Sequence, residues 1–335
     1  MRAVPPAPRA CLLAAAAFLA ACASPPPPPP EAPPPPPAFE ILPFATVVEL
    51  AEEYEAMAHR ARDLARKGGD WTEAEDLYER AAELFEEARL RRRQADCLHQ
   101  FAYCYEPSPG KGTARQWQWT RWAYGRAAAA YEAAGHQPGR MDSYRELARC
   151  DMPTTDPRGG SWKDARRIYE EVERLATVHD DPGRRAWALY RQAWCLDPRQ
   201  DQERGNASRA RALYAEAARW YLEIQDARSH ANCLSRLAFC IRPDVDRKGD
   251  WTRAAEAYGD AAIAYERAGM TRSHRNSLYY RASALAWAAH DNARWLEAAD
   301  ALEHVADLCE QAGDFERERT CHDWMEECVR RSEME

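Results

Sequence analysis

The chain has 335 residues with 46 basic and 54 acidic side chains, a formal net charge of −8. Lys and Arg are not clustered in excess, so the electrostatic footprint of a nucleic-acid-binding protein is absent, and no nucleic-acid partner is expected. Beyond the N-terminal region no segment is long and apolar enough to span a bilayer. The remaining length suits one repeat array or two small domains.

Residues 1–21 have the composition of a secretory signal. Two arginines precede a short apolar run, which is typical of a signal h-region and too short for a membrane span. The run ends in Leu19-Ala20-Ala21-Cys22, which resembles the bacterial lipobox, and this resemblance implies a lipid on Cys22. Ala23, rather than aspartate, follows the cysteine and by the same resemblance favours the outer membrane, facing the periplasm. An ordinary signal cleaved near Ala-Cys-Ala is the alternative.

Residues 22–40 follow as a proline-rich linker. Pro25 to Pro30 and Pro33 to Pro37 are uninterrupted runs, which adopt polyproline II because proline has no N–H and a fixed φ. Such a segment rises about 3.1 Å per residue and acts as a semi-rigid spacer. The linker therefore predicts a folded part held away from the lipid surface.

Residues 41–68 predict an N-terminal capping helix. Its centre, residues 45–66, has the apolar spacing of an amphipathic helix and precedes the first repeat. Open ends of repeat arrays need such caps to remain soluble.

Residues 69–335 contain an internal repeat of 44–46 residues. Tyr78, Tyr124, Tyr169, Tyr214 and Tyr258 recur at nearly fixed spacing, and Leu302 takes the sixth place. With the tyrosine as position 0, apolar residues at −7, −4, 0, +3, +4 and +7 predict a helix of about five turns, helix A. A sustained period in this range is typical of a stacked repeat architecture, and the spacing of the apolar positions indicates that the repeated elements are helices.

A second helix, helix B, is predicted after a short polar break. Its markers are alanine at +24 and mostly cysteine at +26, and proline three residues later ends it in four repeats (Pro107, Pro153, Pro198 and Pro243). The sequence thus predicts an all-α protein of about six helix-turn-helix repeats, stacked as an α-solenoid.

These positions resemble the tetratricopeptide repeat. Trp71, Ala74 and Tyr78 have the spacing of that family's helix-A residues, and Ala95, Ala102 and Pro107 match helix B. The resemblance implies a right-handed solenoid and covers about residues 69–330. The period exceeds the family's value of about 34 residues, and the small residue expected at −3 is replaced by Glu75 and Arg121.

The cysteines at +26 share their position with alanine, which predicts buried thiols acting as small hydrophobic residues. Cys309 and Cys321 lie symmetrically about the sixth turn. For these two residues a disulfide is the alternative to the buried-thiol interpretation. His304, Cys309, Cys321, His322 and Cys328 lack zinc-ligand spacing, so no metal is expected. No catalytic residue or cofactor is predicted, because phosphate-loop, nucleophile-elbow and metalloprotease motifs are absent.

A binding groove is predicted on helix A at position −2, where tetratricopeptide grooves present ligand-facing side chains. Asp76, Trp122 and Arg167 hold this position in the first three repeats; ordinary solvated or packing side chains are the alternative at each. The sequence therefore predicts a non-enzymatic, outer-membrane lipoprotein that acts as an adaptor or assembly scaffold for a protein of the cell envelope. The alternative is a glycan or peptidoglycan receptor that uses exposed tryptophans.

Overall fold

The structure is a computed structural model that describes residues 44–68, 70–107, 112–200, 205–289 and 292–334. The signal segment, Cys22, the proline-rich linker and the first residues of the expected cap lie outside the described residues. The expectations for the lipid anchor and for the spacer therefore stay predictions.

The described residues form thirteen α-helices and no strands. In chain order they are α1 (Phe44–Ala65), α2 (Thr72–Glu87), α3 (Arg91–Tyr105), α4 (Ala114–Ala133), α5 (Gln137–Cys150), α6 (Trp162–Val178), α7 (Pro182–Leu196), α8 (Ala207–Glu223), α9 (Ala227–Ile241), α10 (Trp251–Arg267), α11 (Thr271–Ala288), α12 (Asn292–Gln311) and α13 (Phe315–Met334). One helix thus precedes six A–B pairs, which confirms the prediction of an all-α chain with about six helical repeats.

The predicted apolar stripe of helix A forms the core. The residue at position 0 is almost completely buried in every repeat: Tyr78, Tyr124, Tyr169, Tyr214, Tyr258 and Leu302. The alanines and the cysteines at +24 and +26 of helix B are buried against this stripe. Small residues allow the two helices of a repeat to approach closely, which is why the core contains so much alanine.

Every pair is joined by a three-residue turn of one kind. The central residue has a left-handed backbone in all six turns, and three of the six are not glycine: Arg89, Asp180 and Gln225. The residue after it donates its N–H to the carbonyl at +7 of helix A, as Asp181 does to Ala176 at 2.9 Å and Met270 does to Tyr265 at 2.9 Å. This is the Schellman bond, which satisfies carbonyl groups left open at the helix end.

The helix boundaries follow from local chemistry. Asp181, Asn206, Asp226 and Asp250 each accept a hydrogen bond from the backbone N–H three residues later and thereby cap the helix that follows. Helix B ends two or three residues before the repeat's proline in four repeats, as predicted.

The chain divides into two compact units, residues 1–130 and 131–335. In the first unit α1, α2 and α3 pack side by side in chain order, and Ala127 of α4 joins their core. In the second unit each helix from α5 to α13 packs on the next one along the chain. Sequential packing of this kind is the arrangement of an α-solenoid. None of the helices in the described part of the chain is long and apolar enough to cross a membrane.

Candidate functional site: an arginine–aromatic ladder

A hydrogen bond from the buried tyrosine links consecutive repeats. Its hydroxyl contacts the residue at +28 of the preceding repeat, just past the end of helix B: Tyr124 donates to Glu106 at 3.3 Å, and Tyr214 donates to Asp197 at 3.2 Å. At the equivalent place the Tyr169 hydroxyl lies 3.9 Å from the sulfur of Met152. The +28 position therefore receives a different side chain in each repeat while the tyrosine stays constant.

In the second unit, the B helices of the third and fourth repeats, α7 and α9, add arginine and aromatic side chains to this network. The guanidinium of Arg191 lies 5.9 Å from the ring centre of Trp187 and 5.7 Å from that of Trp194, and Arg236 lies 4.4 Å from Trp194. These distances are within the range of cation–π attraction. Arg191 and Arg236 occupy the same repeat position, +22, in the third and fourth repeats.

A second set of contacts continues the series. Arg199 and Arg242 lie 3.8 Å and 5.1 Å from the ring centre of Phe239, and Arg242 also lies 5.3 Å from Trp251. Trp251 stacks on Trp287 at 6.0 Å. We call the complete set the arginine–aromatic ladder: Trp187, Arg191, Trp194, Arg199, Arg236, Phe239, Arg242 and Trp251.

Asp197 joins the two parts of the ladder. Its side chain is fully buried, and its carboxylate accepts hydrogen bonds from the Arg199 guanidinium at 3.0 Å and from the Tyr214 hydroxyl. Nη1 of Arg236 lies 3.7 Å from the same carboxylate. A buried carboxylate is stable only when it is paired and hydrogen-bonded, so Asp197 fixes the positions of both arginines.

Arg191 is the least neutralised arginine of the ladder. Its Nε and Nη2 donate to the Tyr169 hydroxyl at 3.3 Å, and Nη2 also contacts the sulfur of Met152 at 3.3 Å. Within the described residues Nη1 makes no hydrogen bond and no carboxylate forms an ion pair with this guanidinium. The side chain is half-buried, so its remaining donors are open to solvent.

Burial sets the titration of the groups beneath the ladder. It raises the pKa of Tyr169 to about 12, although the nearby Arg191 charge acts in the opposite direction. The pKa of Tyr214 is raised well above its usual value by burial and by the Asp197 charge. Both hydroxyls therefore stay protonated and donate throughout the physiological range.

Two of the three predicted groove residues lie in the first unit, where the structure connects them through other side chains. Trp122 is 37% exposed, and the Arg126 guanidinium lies 4.7 Å from its ring centre. Arg126 also forms an ion pair with Glu79 at 3.6 Å, and the charge of Asp76 helps to raise the pKa of Glu79 after the larger effect of burial. Asp76 and Trp122 thus belong to one charged surface of α2 and α4.

The third groove residue, Arg167, lies in the second unit. It is exposed on α6 and forms an ion pair with Asp164 at 3.9 Å. Position −2 is exposed in all six repeats. The residues at this position are Asp76, Trp122, Arg167, Ala212, Glu256 and Asp300. Exposure is a necessary condition for a groove residue, and partner binding at these three positions stays a prediction.

All nine cysteines of the described residues are buried, as predicted. Burial raises the pKa of Cys104, Cys195 and Cys240 to about 12. Cys309 and Cys321 are free buried thiols in the structure, and the Cys309 charge contributes, after burial, to a pKa of about 12 for Cys321. The two thiols belong to one buried hydrophobic cluster, and their pairing stays a prediction. No three His, Cys, Asp or Glu residues of the described ranges are grouped to hold a metal ion.

Sequence reasoning missed the arginines of the ladder. The signal was the motif Arg-x-x-aromatic, which occurs as Arg191 to Trp194 and again as Arg236 to Phe239 at the repeat period of 45 residues. On helix B this spacing places the two side chains on one face. The sequence pattern identifies the tryptophans one by one, but it does not show which arginines contact them.

Comparisons with known proteins identify the fold. No protein-family model matches the sequence, and no curated protein matches it. Among solved structures, the apo form of RapI is 12% identical with a TM-score of 0.50, and the match covers 84% of this chain and 98% of RapI.

Two further solved structures resemble the chain less closely. A Signal Transduction ATPase with Numerous Domains from Pyrococcus horikoshii, with a tetratricopeptide repeat sensor, is 13% identical with a TM-score of 0.48, and the match covers 84% of this chain and 42% of that protein. A Rap protein complexed with Competence and Sporulation Factor is 15% identical with a TM-score of 0.40, covering 85% and 76% of the two chains. The helices, their order and the likeness to RapI together show a helical-repeat fold of the tetratricopeptide-like kind.

Proposed function

We propose that the protein is an adaptor or assembly scaffold, anchored through Cys22 to the outer membrane and facing the periplasm, that holds a protein partner on the surface of its helical repeats. The repeat fold supports this proposal, since repeat surfaces bind partners through side chains spaced along successive helices. The lipobox-like Leu19-Ala20-Ala21-Cys22 and the proline-rich linker support the anchor. Binding in this proposal involves no chemical turnover.

The observation that carries the proposal is the contrast between constant core positions and variable exposed positions. Position 0 is tyrosine in five of six repeats, whereas position −2 is acidic, aromatic, basic or small in different repeats and always exposed. Packing accounts for the constancy of the core. Variation at this exposed position of helix A is what recognition of an irregular partner requires.

Site-specific photocrosslinking in intact cells tests the scaffold. A photoreactive residue replaces Trp122, and the control replaces Glu87, which is exposed at the end of α2. We expect one protein adduct from position 122 that is weakened by Asp76→Lys or Arg167→Glu. Equal adducts from both positions, or adducts insensitive to both reversals, would contradict the scaffold.

Two further measurements separate the remaining parts of the proposal. Cys22→Ala should move the protein out of the outer-membrane fraction and abolish metabolic labelling with palmitate; retention of both would contradict the lipid anchor. The glycan alternative rests on the exposed Trp122 and Trp287. It predicts a change of tryptophan fluorescence on adding peptidoglycan fragments, lost in Trp122→Ala, with no protein adduct.

A further inference from the structure

We infer that the centre of the arginine–aromatic ladder, formed by Arg191, Trp194 and Arg236, binds the carboxylates of an acidic, extended segment of the protein partner. The inference rests on the proposed function and names the surface and the partner chemistry. The proposed surface lies on α7 and α9, the B helices of the third and fourth repeats, whereas the predicted groove residues lie on A helices.

Charge provides the first argument. The whole chain is acidic, yet four arginines converge on the ladder against two contacting carboxylates, Asp197 and Asp244. Arg242 is neutralised by Asp244, and Arg199 by Asp197. Because Arg199 and Arg236 share the single charge of Asp197, Arg236 is only partly neutralised, and Arg191 has no ion pair among the described residues. The excess positive charge therefore lies at Arg191 and Arg236, which both contact Trp194. A surface of this sign attracts and orients an acidic partner.

Preorganisation provides the second argument. The Tyr169 hydroxyl and the rings of Trp187 and Trp194 hold the Arg191 guanidinium, and Asp197 and Trp194 hold that of Arg236. A free arginine loses about 2 kcal/mol of side-chain entropy when it is fixed, and these two are fixed before any ligand arrives. Planar guanidinium groups held in this way suit bidentate contact with carboxylates.

The class of ligand follows from the distance between the two guanidinium groups and from the arginines that already cover the aromatic rings. Both guanidinium groups contact the ring of Trp194, so they lie at most about 10 Å apart, a span that an extended peptide covers in about three residues. Sugar receptors need open aromatic faces, but here guanidinium groups lie over the rings of Trp194 and Phe239. The ladder therefore offers N–H donors to a ligand more than it offers stacking surfaces.

The test measures binding of a defined probe to the full-length lipidated protein in mild detergent. The probe is a short fluorescein-labelled peptide of alternating glutamate and alanine, and its partner peptide has glutamine in place of glutamate. Fluorescence anisotropy at low and high salt gives the affinity. We expect the acidic peptide to bind, to weaken as salt rises, and to bind at least about tenfold better than the glutamine peptide.

Matched variants locate the contact. Arg191→Gln with Arg236→Gln should weaken binding by at least about tenfold, because both charge-assisted contacts are lost. Arg219→Gln with Arg228→Gln removes the same charge from two exposed positions of the same unit and should change binding by less than about twofold. Arg191→Lys with Arg236→Lys keeps the charge, and its intermediate loss would show that guanidinium geometry matters even if the glutamine variant folds poorly.

Several outcomes would overturn the inference. They are absence of binding by the acidic peptide, equal losses in the two glutamine pairs, and preferential binding of polygalacturonate or of a phosphopeptide in place of the acidic peptide. The proposed function fails separately. If the crosslinked partner is recovered equally with Arg191→Gln and Arg236→Gln, the scaffold stands and the ladder inference fails; if wild type yields no partner, the scaffold itself fails.

Discussion

The first and third repeats show how one packing scheme carries two different surfaces. The first consists of α2 and α3 in unit one, and the third of α6 and α7 in unit two. Their central tyrosines, Tyr78 and Tyr169, are both fully buried, and their turns have the same left-handed centre. The shared features are those that pack helix A on helix B.

The surface positions of the same two repeats differ in charge and in aromatic content. At +22 and +25 the first repeat has Gln100 and Tyr103, whereas the third has Arg191 and Trp194. At −3 the first repeat has Glu75, whereas the third has Arg166, which forms an ion pair with Glu170 at 2.7 Å. Residues that fix the fold and residues that specify a surface thus occupy separate repeat positions, so each set can be changed without the other.

The largest expected effect tests the equivalence of the two cores. Tyr78→Ala and Tyr169→Ala should each lower the free energy of unfolding by about 4 kcal/mol, because each leaves a cavity the size of an aromatic ring. Urea denaturation followed by circular dichroism measures both. A large loss at one position and a small loss at the other would break the comparison.

The next effect concerns position +28, where the two repeats differ in burial. Asp197→Asn should cost about 3 kcal/mol, because the substitution removes a buried charge that Arg199 and Arg236 share. Glu106→Gln, at the half-buried equivalent in the first repeat, should cost less than about 1 kcal/mol. Thermal denaturation measures the stability lost in each variant. Equal losses of stability would mean that Asp197 has no special role in holding the ladder.

The next effect is a pH effect from Glu75 in the first repeat. Burial, followed by the charges of Asp76 and Asp70, raises the pKa of Glu75 to about 7. Between its ordinary pKa near 4.5 and pH 7 the folded state holds a proton that the unfolded state releases, so this group makes stability fall as pH rises through that window. Above pH 7 the penalty is fully present; the shift corresponds to about 3 kcal/mol, which the partial solvent exposure of the side chain reduces to about 2 kcal/mol.

Glu75→Gln removes this penalty. The variant should melt at a higher temperature than wild type at pH 8 and at nearly the same temperature at pH 4.5. Glu73→Gln, at an exposed position of the same helix, is the control and should leave the pH profile unchanged. An unaltered difference between pH 4.5 and pH 8 in Glu75→Gln would refute the assignment.

The smallest effect tests the turns. Arg89 and Asp180 have φ of 56° and 52° at the centres of the first and third turns. Replacing either by glycine should raise stability by about 0.5 kcal/mol, since relief of left-handed strain exceeds the added freedom of the unfolded chain. Arg89→Gly should gain more, because aspartate tolerates this conformation better than arginine. Differential scanning calorimetry resolves the order of the two gains.

Much of the fold could be predicted because it depends on local periodicity. The spacing about Tyr78 and its equivalents specifies the buried stripe, and Pro107 and Pro153 mark the ends of helix B. Both signals act within one repeat, where sequence distance determines spatial distance. The three non-glycine turn centres could not be predicted from composition, since arginine and glutamine rarely adopt that conformation.

The ladder could be predicted only in part. A repeat period identifies Arg191 and Arg236 as equivalent, but their contacts with Trp194 depend on how neighbouring repeats pack. Tryptophans at −7 show the same limit: Trp117 is fully buried as expected, whereas Trp251 is half-buried between Arg242 and Trp287. Contacts between repeats are set by helix crossing, which the spacing within a repeat does not contain.

The buried cysteines give the molecule a set of internal reporters. Five of the six repeats carry at least one buried thiol, the fifth having Ala284 at the cysteine position, and high pKa values make these thiols inert towards alkylating reagents while they stay buried. A thiol becomes reactive only when its own repeat opens to solvent. Pulse labelling followed by mass spectrometry would therefore record, without any engineered label, the order in which these five repeats open and close.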